Sequence, residues 1–148
     1  MSHSRIQNYI HCVYATASRR NLIPTNLLEE LWACNIGIGR NKGISVLAAG
    51  GIENHIHLCI ELPAKISLAD AINIFKSNSS RWMKTKGVKD FSWQIGYGAF
   101  SISPRQLGAV KTYIRNQREH HKNQTYEEEF IGLLKLAGID YDPDHVFD

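Results

Sequence analysis

Along residues 55–62 apolar and polar positions alternate. Ile56, Leu58, Ile60 and Leu62 fall on one side of an extended chain, and His55, His57, Cys59 and Glu61 on the other. The pattern predicts a strand that stops at Pro63. Residues 9–16, rich in β-branched and aromatic side chains, predict an earlier strand, and residues 44–49 another. Gly50-Gly51 reads as the turn into the histidine strand. Between the first two strands a helix is expected from Leu27 to about Asn35, with Gly37, Gly39 and Gly43 breaking it into a loop.

Further on, Ser67 and Asp70 have the spacing of a helix cap. Leu68, Ala71, Ile72 and Phe75 supply the apolar stripe of a helix expected to end near Lys86, before Gly87. Residues 93–103 read as extended. Ser103-Pro104 opens a helix whose buried stripe is Leu107, Val110 and Ile114. Thr125 and Glu128 form a capping-box pair for a last helix, and Gly138 stands where a helix C-terminus favours glycine. The order β-α-β-β-α-β followed by two helices predicts an α+β, ferredoxin-like split-βαβ domain. The expected form is an antiparallel sheet with helices on one face, plus the C-terminal helices. The open face of such a sheet commonly serves as a nucleic-acid platform.

Length and composition narrow the class. The 148 residues suit a single domain spanning 1–148, with 43% hydrophobic and 21% charged residues. No apolar run approaches membrane-spanning length, and the three scattered cysteines suggest no disulfide framework, so a cytoplasmic protein without a membrane partner is expected. The net charge of +3 is unevenly spread: residues 1–124 carry +9 and residues 125–148 carry −6. A basic body suits phosphate neutralisation.

Two segments carry candidate chemistry. His55 and His57 stand about 7 Å apart along one strand face, within reach of a shared divalent cation. Cys59 on the same face would also permit a softer zinc site. In residues 107–121, Tyr113 and Gln117 are one helical turn apart beside the apolar stripe, and His120 falls near the same line. Tyr113 offers a nucleophile, and Gln117 an oxygen ligand. Lys76, Ser80 and Lys84 share a helical face with Arg81 beside them, and Arg115, Arg118 and Lys122 add charge around the tyrosine. Hydroxyls among basic groups suit contacts to nucleic-acid phosphates.

Three ordered segments then resemble one family: Asn54-His55-Ile56-His57-Leu58, residues 93–101, and residues 113–121, with a similar trailing Tyr126-Glu127-Glu128-Glu129-Phe130 and residues 138–142. Together they resemble the small single-tyrosine HUH transposases of bacterial insertion sequences and their REP-associated relatives. Glu53 departs from the pattern, standing where many relatives carry proline. The resemblance implies His55, His57 and Gln117 as ligands of Mg2+ or Mn2+ and Tyr113 as nucleophile. His120 is an accessory candidate, and Tyr97 a rival tyrosine. The implied activity is single-stranded DNA cleavage and strand transfer through a 5′-phosphotyrosine. The implied partners are hairpin-bearing DNA and a second copy in a homodimer. No nucleotide cofactor is implied, in keeping with the absence of a G-x-x-x-x-G-K-[ST] loop. Two alternatives remain: a domesticated nickase that does not mobilise its own gene, and a non-enzymatic nucleic-acid-binding module.

Overall fold

The computed structural model describes residues 4–148. Four strands form one antiparallel sheet: β1 (Tyr9–Ala15), β2 (Ser45–Ile52), β3 (His55–Glu61) and β4 (Gly98–Ile102), in the order β2-β3-β1-β4. Helices α1 (Leu28–Lys42) and α2 (Leu68–Thr85) connect them, and α3 (Leu107–Arg115), α4 (Gln117–His120) and α5 (Tyr126–Ala137) follow. This is the expected α+β arrangement.

Strand alternation divides the molecule into two layers. Ile10, Cys12 and Tyr14 of β1 with Ile56, Leu58 and Ile60 of β3 form the main core with Leu31 of α1 and Phe75 and Met83 of α2. The opposite face is not open. Cys59 and Ala48 pack with Ile114 of α3 and Ile102, while Val13 and Ala15 pack with Tyr126 of α5. The C-terminal helices therefore roof the histidine side of the sheet, and the expected nucleic-acid platform is covered.

The glycines account for the local departures. The first helix does not stop near Asn35 but runs to Lys42, through Gly37 and Gly39. Gly39 is buried, and a side chain there would run into the Ile44 backbone carbonyl, so the glycine permits close helix–strand approach. The helix ends at Gly43, in a left-handed conformation (φ 77°). Gly50-Gly51 is not a turn. Both residues lie inside β2, and the reversal falls at Glu53-Asn54. A Cβ on Gly50 would meet the backbone carbonyl of Ile114, so its absence lets α3 sit directly on the sheet.

The extended segment is shorter than expected, with only Gly98–Ile102 joining the sheet and Trp93 making an isolated bridge to Thr16. Both predicted caps form. Ser67 accepts from the Asp70 amide at 3.0 Å, and Thr125 and Glu128 close a reciprocal box. Among the described residues no helix is long and apolar enough to cross a membrane.

Candidate active site

The side of β3 that carries His55 and His57 faces the C-terminal helices, and both imidazoles are fully buried. The helix bearing Tyr113 is interrupted at Asn116 (φ −102°, ψ 26°), so α4 begins afresh at Gln117. Gln117 is buried, with its amide nitrogen donating to the Tyr113 carbonyl at 3.3 Å. That leaves its Oε1 facing the histidines, 3.1 Å from His55 Nε2. From α5, buried Glu129 completes the centre. Its Oε1 lies 3.0 Å from His57 Nε2 and 3.2 Å from both His55 Nε2 and His121 Nε2. The Tyr113 hydroxyl donates to Glu129 Oε2 in a very short contact. Residues nearly sixty positions apart thus meet within one chain.

Residues 4–117 match the family described as IS200-like transposases. The chain belongs to that family. Its similarity to the transposases for insertion sequence element IS200 of Salmonella typhimurium and Salmonella typhi is 23% identity over 129 residues, covering 82% of this chain and 84% of theirs. Two solved structures share the fold. One, assigned as a transposase of Deinococcus radiodurans R1, matches at TM-score 0.61 and 19% identity over 79% of this chain and 98% of its own. The other is a REP-associated tyrosine transposase bound to a REP hairpin, at TM-score 0.54 and 19% identity over 77% and 70%.

In this IS200-like chain the protonation pattern has clear physical causes. Burial lowers the His55 pKa to about 4, so the ring is neutral at pH 7. Burial acts to raise the Glu129 carboxyl, but the imidazoles of His121, His55 and His57, each within 3.2 Å of its Oε1, outweigh it and hold the group well below the usual carboxylate range. His121 is raised: burial opposes the charge, and the hydrogen bond to Glu129 more than offsets that. Tyr113 is pushed above its ordinary value, first by burial and then by the contact with Glu129. Left alone, the phenol is a poor nucleophile.

The donor set fits a divalent cation. His55 Nδ1 lies 2.8 Å from Asn54 Oδ1, an acceptor, so a neutral His55 carries its proton there and turns the Nε2 lone pair inward. That lone pair meets two further acceptors, Gln117 Oε1 and Glu129 Oε1. Buried lone pairs converging on one another are the chemistry of a cation-binding site. His55, His121 and Glu129 have ligand atoms within 4.8 Å of one another.

Not every expected residue joins this centre. His120 packs its ring on Tyr113, with centroids 4.6 Å apart, while its neighbour His121 is the one that faces inward. Cys59 lies in the apolar cluster under α3, outside the group, where burial raises its thiol pKa. Tyr97 lies with its ring centroid 6.0 Å from the Lys76 ammonium and makes no contact with the histidines or Glu129 among the described residues.

The α2 residues lie in the other layer, because α2 packs on the aliphatic face of β3. Lys76 is half-buried and donates to the Gln94 and Gly96 carbonyls at 2.8 and 2.6 Å, and burial lowers its pKa to about 8. Arg81 donates to Asn78 at 3.3 Å, Ser80 is half-buried and Lys84 is exposed. Arg115 is exposed on the tyrosine helix. Arg118 is committed to Glu53, at 2.9 and 2.5 Å.

Glu129 and His121 escaped the sequence reading. Glu129 sits in an acidic run that looks solvated. One signal was available: it is three residues after Tyr126 and beside Phe130, within the apolar stripe of α5. His121 could not be separated from His120 without knowing the break at Asn116.

Proposed function

We propose that this protein cuts single-stranded DNA with Tyr113 and rejoins it to a second strand, as a metal-dependent transposase. The observation that carries this reading is the meeting of the Tyr113 hydroxyl, the His55 and His57 Nε2 atoms and Gln117 Oε1 around the Glu129 carboxylate. His55, His57 and Gln117 would hold a divalent cation, with His121 and Glu129 as further ligands. Mg2+ or Mn2+ suits the oxygen-bearing part of this set. When bound, the cation supplies positive charge to a non-bridging oxygen of the scissile phosphate.

The chain's own residues do the rest. Glu129 Oε2 accepts the phenol proton as Tyr113 Oη attacks phosphorus. The bond from phosphorus to the 3′-oxygen breaks, leaving a 5′-phosphotyrosine and a 3′-oxygen that takes a proton from water. In the second step another strand's 3′-hydroxyl attacks phosphorus and gives its proton back to the solvent, the bond from phosphorus to Tyr113 Oη breaks, and the phenol oxygen recovers its proton from Glu129. One phosphoester replaces another, so no nucleotide hydrolysis is required.

A cleft of about 700 Å³ suits entry of the strand. Its lining includes Arg19, Arg20 and Lys122, together with Asn54, His121 and Tyr126, which pack against the buried His55. Hairpin-bearing DNA is the substrate we assign, because a protein of the same fold is bound to a REP hairpin. Tyr113 reaches the histidines of its own chain, which supports cleavage in cis. The homodimer implied by the resemblance would then serve to bring two DNA ends together.

The test is a covalent adduct. Incubation with hairpin-bearing single-stranded DNA from the gene's own flanks and Mn2+ or Mg2+ is expected to yield a protein–DNA band that disappears in Tyr113→Phe. A DNA complex that forms no band with either ion would overturn the enzyme reading in favour of a binding module.

A further inference from the structure

We infer that His11 is a positioning residue for His57, accepting the His57 Nδ1 proton and so turning the Nε2 lone pair of His57 toward the cation-binding cluster. The inference rests on the metal reading proposed above. Each inward-facing histidine has its Nδ1 engaged from behind. For His55 the partner is Asn54 Oδ1 at 2.8 Å, and for His121 the Gln124 carbonyl at 2.7 Å. Both are oxygen acceptors at these contacts, so both rings are fixed with Nδ1 protonated. For His57 the partner is His11 Nε2 at 2.8 Å.

His11 occupies the inner strand β1, opposite Cys59 and two positions from the pair Val13 and His57. From there its ring crosses diagonally to stack on His57, with centroids 5.1 Å apart and planes at 27°. The side chain is buried, and the His57 contact is its only side-chain hydrogen bond among the described residues. A neutral imidazole can either donate or accept at Nε2. Were His11 to donate, neutral His57 would carry its proton on Nε2, with no lone pair for a cation. Only an accepting His11 leaves His57 a ligand. Outer partners of this kind typically change metal affinity 10–100-fold when removed.

Two variants separate positioning from packing. His11→Phe keeps a stacked ring without an acceptor, and His11→Gln restores an acceptor without the ring. Mn2+ titration followed by electron paramagnetic resonance, without DNA, is expected to show about 10–100-fold weaker binding in His11→Phe. His11→Gln should recover most of the loss.

In the wild-type chain loaded with Zn2+, nitrogen-15 NMR should show coupling between His57 Nδ1 and His11 Nε2, with the proton on His57. A proton on His11, or undiminished Mn2+ affinity in His11→Phe, overturns the inference. Should His11→Phe fail to fold, the NMR measurement and His11→Gln still decide it. A wild-type chain that binds no Mn2+ would sink the metal reading itself, and this inference with it.

Discussion

Glu129 belongs to a run of three acidic residues, yet it alone of the three is buried, and it touches three imidazoles and the Tyr113 hydroxyl. Its neighbour Glu128 caps α5, and Glu127 lies 3.6 Å from Arg19. One helical turn thus sorts three identical carboxylates into a buried partner of the imidazoles, a helix cap and a surface partner. Replacing Glu129 by Gln keeps the shape and removes the charge. The expected result is a folded protein whose adduct forms about 100-fold more slowly or worse at saturating Mn2+, as loss of a proton acceptor entails. Rapid-quench measurement of the adduct checks this, and an unchanged rate would remove Glu129 from the chemistry. At this scale the sequence disclosed His55 and His57, because period-two alternation fixes their face. It could not disclose Glu129, since an acidic run has the same composition whether it is solvated or folded inward.

Helix α3 shows what elements contribute. It approaches the sheet over Gly50, which has no Cβ to obstruct the Ile114 carbonyl, and it breaks at Asn116. Past the break, Arg118 clamps the chain to Glu53 in the β2–β3 turn, with Thr25 donating to the same carboxylate at 2.9 Å. Hydrogen bonding from Arg118, the largest contribution, lowers the Glu53 pKa to about 2 against the opposing effect of burial. A carboxyl depressed in the folded state stabilises at pH above its unfolded value near 4.5, and loses that contribution as pH falls toward 2. Urea midpoints for the wild type and Glu53→Gln should therefore differ at pH 7 and converge as pH falls from 4.5 to 2. Because Arg118 is mostly exposed, the difference should be modest and shrink with salt. The strand and helix types were readable from periodicity, and both N-terminal caps from their side chains. Gly138 ends α5 as its position suggested, but Gly37, Gly39 and the Gly50-Gly51 pair were misread, because close backbone approach and chain reversal call for the same residue.

For the whole molecule, the sheet uses both faces. One buries the aliphatic core under α1 and α2, and the other carries the histidines under α3, α4 and α5. Tyr113 and the histidines of one chain meet without a second copy. Mixing Tyr113→Phe with a His55→Ala/His57→Ala chain should consequently restore no adduct. An adduct from the mixture would place the tyrosine in its partner's site. The basic residues of α2 lie on the layer away from the histidine centre, so a phosphate that they contact is not one that reaches Tyr113.

By itself the sequence determined the order of elements, the side of β3 that carries imidazoles, and the family. These follow from short-range spacing, which the chain states directly. The tertiary structure alone decided that the histidine face is roofed, that His121 rather than His120 faces inward, and that Glu129 and His11 belong to the centre. Those choices depend on how distant segments pack, and no local period encodes the depth to which a helix presses onto a sheet.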